Sequence, residues 1–122
     1  MCRKKILVID DEEFIRDLVK DFLEMEDIHT EGAETSEQGL EMMTRHNYHL
    51  ILLDRNLGKG KAEGVIEQIR KIDKDIPIVI LTGDTECDEA HLKQIGAVEI
   101  VFKPFQMDEF VEKVKGFLYI GD

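Results

Sequence analysis

Five residues in this sequence have side chains that, gathered in one place, could handle a phosphoryl group: the carboxylates of Asp10, Asp11 and Asp54, the hydroxyl of Thr82 and the ammonium of Lys103. Each ends or closely follows a short apolar run: KKILVI before the acidic pair, LILL before Asp54, IPIVIL before Thr82 and VEIVF before Lys103. Two carboxylates ~5 Å apart repel by about 3 kcal/mol at an effective dielectric of roughly 20, so a cluster of them implies a cation. Oxygen-only ligands suit a hard ion, and a small number of protein ligands suits Mg2+, which keeps several of its waters; Mn2+ would serve on the same set. Lys103 supplies fixed positive charge, and Thr82 a hydroxyl beside the N–H of Gly83. Together they could hold the oxygens of a phosphoryl group accepted by a central carboxylate, Asp54.

The elements that must position these groups follow from the hydrophobic pattern. Unalternating apolar runs read as strands buried on both faces of a parallel sheet, which predicts strands over 4–9, 50–54, 76–81 and 98–102, with a weaker, more polar edge strand over 28–33. Between them the apolar spacing becomes three and four. Phe14, Ile15, Leu18, Val19, Phe22 and Leu23 predict an amphipathic helix from Glu12 to about Met25 with Arg16, Lys20 and Glu24 on its solvent side. Ser36 is the expected N-cap of the next helix, through Leu40, Met43 and His46. RNLGKGKAEG, with its glycines, predicts a flexible loop before a helix bearing Val65, Ile66, Ile69 and Ile72. Thr85 with Asp88 suggests a capping pair for a helix that Gly96 stops, and a last helix runs from Met107 to Tyr119. Strands and helices alternate, so the expected fold is α/β, a flavodoxin-like (βα)5 doubly wound parallel sheet of order 2-1-3-4-5. In that topology the polar strand ends open on one edge, where ligands of such sheets bind.

Composition narrows the function classes. The 122 residues suit one domain, 1–122, with a core that buries roughly two thirds of the unfolded surface. With 16 basic against 27 acidic residues the net charge is −11, which opposes direct binding to nucleic acid or to anionic membranes. No apolar run approaches the roughly 18 residues of a membrane span, and no signal pattern opens the chain, so a soluble, cytoplasmic protein is expected. Cys2 and Cys87 fit no metal spacing, and His29, His46, His49 and His91 are scattered, which makes them surface or packing residues.

The strings ILVIDDE, LLD, ILTGD and GA with KPF, in that order and over the whole length, resemble the receiver domain of bacterial two-component response regulators. The resemblance implies a phosphoprotein in a phosphorelay, with Asp54 becoming a 4-aspartylphosphate at the expense of a histidine kinase or histidine phosphotransfer protein. It implies Mg2+ bound by Asp11, Asp54 and the backbone carbonyl of Asn56, with Asp10 acting through water. Thr82 would move to meet the phosphoryl group and Lys103 would bond to it, beside the bend at Pro104. Such a domain is a regulatory phosphoacceptor that catalyses only its own phosphorylation and dephosphorylation. Its partners downstream would be an effector protein or a fused output domain, docked on the last strand and its flanking helices, and a phosphorylation-dependent dimer is a further expectation. Asn56 and Asp84, each two residues beyond a site residue, are placed on the solvent side of the phosphoryl group, with Asp84 influencing loss of the phosphate.

Departures from the family pattern mark the switch. Ile100 stands where an aromatic usually pairs its rotation with the Thr, and Phe102 shares its side of the strand. Gly58 stands where the family usually has Pro. These two departures motivate an alternative, a receiver fold that signals without phosphorylation. An Asp-nucleophile phosphohydrolase is opposed by Asn56 in place of a second Asp, and a flavin carrier by the lack of a Ser/Thr/Gly-rich loop after the first strand.

Overall fold

A computed structural model describes residues 3–57, 60–83, 88–103 and 105–119. The main sheet contains β1 (Lys5–Ile9), β2 (His29–Ala33), β3 (Leu50–Asp54), β4 (Ile78–Thr82) and β5 (Glu99–Phe102). All pairings are parallel and the order is β2-β1-β3-β4-β5, the doubly wound arrangement expected from the alternation of runs and helices. Every residue of β3 and β4 is buried, which explains why those runs do not alternate. β2 lies at one edge, where polar residues such as Glu31 can reach solvent.

The helices are α1 (Glu13–Glu24), α2 (Ser36–Arg45), α3 (Ala62–Ile72), α4 (Glu89–Ile95) and α5 (Met107–Leu118). α1 and α5 cover one face, with Val19, Leu23, Phe110, Val111, Val114 and Leu118 against Ile6, Val8, Leu52 and Leu81. α2, α3 and α4 cover the other, with Met43, Val65, Ile66, Ile69 and Leu92 against Ile9, Leu53, Ile80 and Ile100. Side chains alternate between these two cores along each strand, so one sheet organises both.

Several local expectations are corrected. Thr35, not Ser36, caps α2: its extended backbone lets the side chain accept from the N–H of Gln38 at 3.1 Å, while Ser36 is already helical. Asp88 caps α4 by accepting from the N–H of His91 at 3.0 Å, and Thr85 lies outside the described residues. The glycine-rich segment is not simply a loop, because Asn56–Leu57 and Gly60–Lys61 pair antiparallel and α3 already starts at Ala62, taking Gly64 into its first turn. β4 begins at Ile78, not at Ile76, because the carbonyl of Ile76 is taken by Arg70, whereas that of Pro77 already accepts a ladder bond from the N–H of Ile51. Phe14, placed on the buried side by its spacing, is 71 % exposed. Arg16, expected in solvent, turns back toward the sheet and is half-buried.

Candidate functional site

The C-terminal edge of the sheet is level because the registers make it so. Ile9 pairs with Leu53, Asp54 with Leu81 and Thr82 with Phe102, so Asp10, Asp54, Thr82 and Lys103 sit at neighbouring strand ends. Main-chain bonds extend this order past the strands. The N–H of Asp10 donates to Ala33 O (3.1 Å), that of Arg55 to Leu81 O (2.9 Å) and that of Lys103 to Thr82 O (2.7 Å). Thr82 and Lys103 are thus joined through the backbone.

Asp10 is fully buried and held from several directions. Its Oδ1 accepts from the N–H of Glu12 at 2.9 Å, and its main-chain carbonyl accepts from Arg16 Nη1 at 2.7 Å. Gly32 makes the second bond feasible: a Cβ there would lie 3.1 Å from Arg16 Cδ, so a side chain would crowd the arginine stem. Asp54 and Thr82 are also buried, whereas Asp11 and Glu12 are exposed.

Lys103 reaches into this acidic group. Its Nζ lies 3.0 Å from Asp10 Oδ2, 3.2 Å from Glu12 Oε1 and 3.6 Å from Asp54 Oδ1, with 16 % of the side chain exposed. Burial alone would lower the lysine pKa, but the hydrogen bond and charge of Asp10, joined by Asp54 and Glu12, outweigh it and hold the group above its ordinary value. The side chain is therefore a cation at neutral pH. One ammonium does not neutralise what surrounds it, because oxygens of Asp10, Asp11, Glu12 and Asp54 all lie within 4.8 Å of one another. These oxygen donors, partly buried and partly open, could hold a hard divalent cation with open positions left for water.

The structure brings Asp10, Asp11, Asp54 and Lys103 together and puts Thr82 on the adjoining strand end. Gly83 follows at an exposed bend, and Asn56 opens the short antiparallel pair, its main chain in register with Lys61. Asp84 and Pro104 lie outside the described residues. Ile100 is buried on the α2–α4 face, and Phe102 packs against the same core, so the two do share a side.

Sequence reasoning gave Glu12 no part in the site. The available signal was its place as third acid after β1, at a helix N-cap where a side-chain cap bond is usual; its side chain makes none and reaches Lys103 instead. Arg16 was missed because its helical position alone points it outward.

Comparisons with known proteins agree on one family. Residues 6–115 match the model of the response regulator receiver domain. Sporulation initiation phosphotransferase F of Bacillus subtilis is 31 % identical over 119 residues, 97 % of this chain and 96 % of that protein. Transcriptional regulatory protein SrrA of Staphylococcus aureus is 34 % identical over 115 residues, 93 % of this chain but 47 % of the regulator, so the chain spans about half the length of such relatives. Among solved structures, response regulator TrrA of Thermotoga maritima in complex with Mg2+–BeF is 38 % identical with a TM-score of 0.84, covering 94 % of this chain and 99 % of that one. A two-component response regulator from Clostridium difficile superposes with a TM-score of 0.90 at 28 % identity, covering 98 % and 100 %.

Proposed function

The chain belongs to the response regulator receiver domain family, and from that membership we propose that Asp54 is the acceptor of a phosphoryl group from a phosphohistidine of a histidine kinase or phosphotransfer protein. A carboxylate oxygen of Asp54 forms the new P–O bond as the P–N bond to the partner's imidazole breaks, and the imidazole leaves with the bonding pair. The observation that carries the reading is the convergence on Lys103 Nζ of Asp10, Glu12 and Asp54 at 3.0, 3.2 and 3.6 Å.

In this reading Asp11, Asp54 and the main-chain carbonyl of Asn56 would hold Mg2+, with Asp10 acting through water, and Mn2+ would fit the same oxygens. When bound there, the cation would supply charge compensation for the transferring oxygens. Lys103 neutralises a phosphoryl oxygen from the other side. Thr82 donates its hydroxyl to another, with the N–H of Gly83 beside it, and Asn56 and Asp84 face the solvent side, Asp84 affecting hydrolysis. The acyl phosphate raises the local charge by about one unit, which favours displacement of the Thr82 segment. Ile100 and Phe102, packed on one face of β5, would pass that displacement to β5, α4 and α5, the proposed docking surface. A cleft of about 200 Å3 beside α5, lined by Val101, Phe102, Phe105, Gln106, Glu109 and Phe110, lies within that surface. An effector protein, a fused output domain or a second phosphorylated copy would be the occupant, in the bacterial cytoplasm. Among the described residues no helix is long and apolar enough to cross a membrane.

The test is incubation with acetyl phosphate or phosphoramidate and Mg2+, read by intact mass beside a working receiver control. A single phosphate adduct that disappears in Asp54→Ala is expected. No adduct on the wild type would favour signalling without phosphorylation, and an adduct surviving in Asp54→Ala would remove the assignment to Asp54.

A further inference from the structure

Glu12 occupies a position unlike the other acids of the pocket. It is the N-cap of α1, with extended backbone (φ −91°, ψ 112°), yet its side chain leaves the helix N-terminus uncapped. Its N–H donates to Asp10 Oδ1 at 2.9 Å, and its own Oε1 accepts from Lys103 Nζ at 3.2 Å. The residue therefore contacts both members of the Lys103–Asp10 pair. Its side chain is 58 % exposed, whereas those of Asp10 and Asp54 are 0 % and 6 % exposed.

That contrast decides where the ammonium rests. Lys103 divides its interaction between two buried carboxylates and one at the mouth of the pocket. Taking the outer carboxylate away would leave Asp10 and Asp54 as the acids beside the ammonium, and it would settle more deeply on them. Both belong to the cation-binding group of the proposed function, so a deeper lysine and a divalent cation oppose each other there. Resting on that reading, we infer that Glu12 is a positioning residue: it draws Lys103 toward the mouth of the pocket and leaves the inner carboxylates available to a divalent cation. The side-chain length of Glu12 matters as well as its charge, since the contact spans from the start of α1 to the end of β5.

Calorimetric titration of the unphosphorylated protein with Mg2+, together with NMR signals of the Lys103 side chain in metal-free protein, tests this. Glu12→Gln removes the charge, and Glu12→Asp keeps the charge but withdraws it by one methylene. Both are expected to raise the Mg2+ Kd about threefold, the size of one partly exposed ion-pair contact, and both are expected to shift the Lys103 signals. A wild-type Kd with unshifted Lys103 signals in Glu12→Gln would overturn the inference, and so would a raised Kd with unshifted Lys103 signals, which would make Glu12 a direct partner of the cation; either leaves the phosphoacceptor reading intact. No Mg2+ binding by the wild type would overturn both, whereas Mg2+ binding without a phosphate adduct on Asp54 would overturn the parent reading alone.

Discussion

At the scale of single residues, the pocket sets four carboxylates and one ammonium side by side among the described residues. Asp10 is inaccessible to water and its hydrogen-bonding ion partner is Lys103, so removing the lysine strands a buried carboxylate near Asp54. Lys103→Ala is expected to lower metal-free stability by about 2–3 kcal/mol, and Mg2+ should recover more stability in the variant than in the wild type, because it supplies the missing charge. Urea unfolding with Mg2+ or with a chelator measures both; an equal loss under the two conditions would contradict the prediction. The residue types themselves exposed this much of the site to sequence reasoning. Where an apolar run is a buried parallel strand, an acid, a hydroxyl or an amine directly after it sits at the sheet edge, where the chain leaves the core. Glu12 and Arg16 escaped because their roles depend on where a long side chain turns after leaving a helix, which periodicity does not encode.

At the scale of elements, the apolar runs read correctly as strands, while the connections between them depended on individual tertiary bonds. Arg70 illustrates the difference. Its guanidinium donates to the carbonyls of Asp73 (3.3 Å), Ile76 (2.6 Å) and Gly96 (2.7 Å), tying the end of α3, the approach to β4 and the end of α4 together. Gly96, at φ 135°, belongs to the same arrangement, since a Cβ there would sit 3.0 Å from Arg70 Nε. Arg70→Met keeps an apolar stem and loses the bonds. It should cost about 2 kcal/mol and speed hydrogen exchange at the amides of Gly96 and Ala97, which bond to the last turn of α4. Unchanged exchange there would mean that the tie does not restrain α4. No sequence pattern announces such a bond, so the early start of β4 was predicted instead. The short antiparallel pair after Asp54 was equally hidden, because glycine signals a turn without saying whether its flanks will pair.

At the scale of the whole molecule, the two edges of the sheet have different work. Among the described residues, the C-terminal edge gathers four carboxylates beside Lys103, whereas the acids on and beside the lateral strand β2 have their own partners. Glu31 accepts from Tyr48 Oη at 2.5 Å, its Oε2 lies 2.9 Å from His29 Nε2, and Lys5 Nζ is 3.8 Å away. The Tyr48 bond, opposed by burial and aided by His29 and Lys5, holds the Glu31 carboxyl below its usual range, while burial and the same bond push the Tyr48 phenol up. The N–H of Thr30, against burial and with help from Arg3, does likewise for Glu24. A depressed carboxyl pKa contributes stability above the unfolded value, about 4.3, that is lost as pH falls through the folded value. The Tm difference between wild type and Glu31→Gln should therefore be full at pH 6 and shrink as the pH approaches 3. A difference that does not change with pH would show that the carboxylate contributes by packing alone. The strand order, by contrast, needed no such detail, since right-handed crossovers leave few ways to connect alternating strands and helices, and the three most apolar runs agree with the observed order by lying at its centre. The separation of edges also has an optical consequence. The chain has no tryptophan and two tyrosines. Tyr48 lies just before β3 and Tyr119, beside Lys4, just after α5, both at the edge opposite Asp54. The protein's own fluorescence is thus stationed away from the acidic pocket, and a spectroscopist who wishes to watch that pocket must install a dye at the rim of the other end.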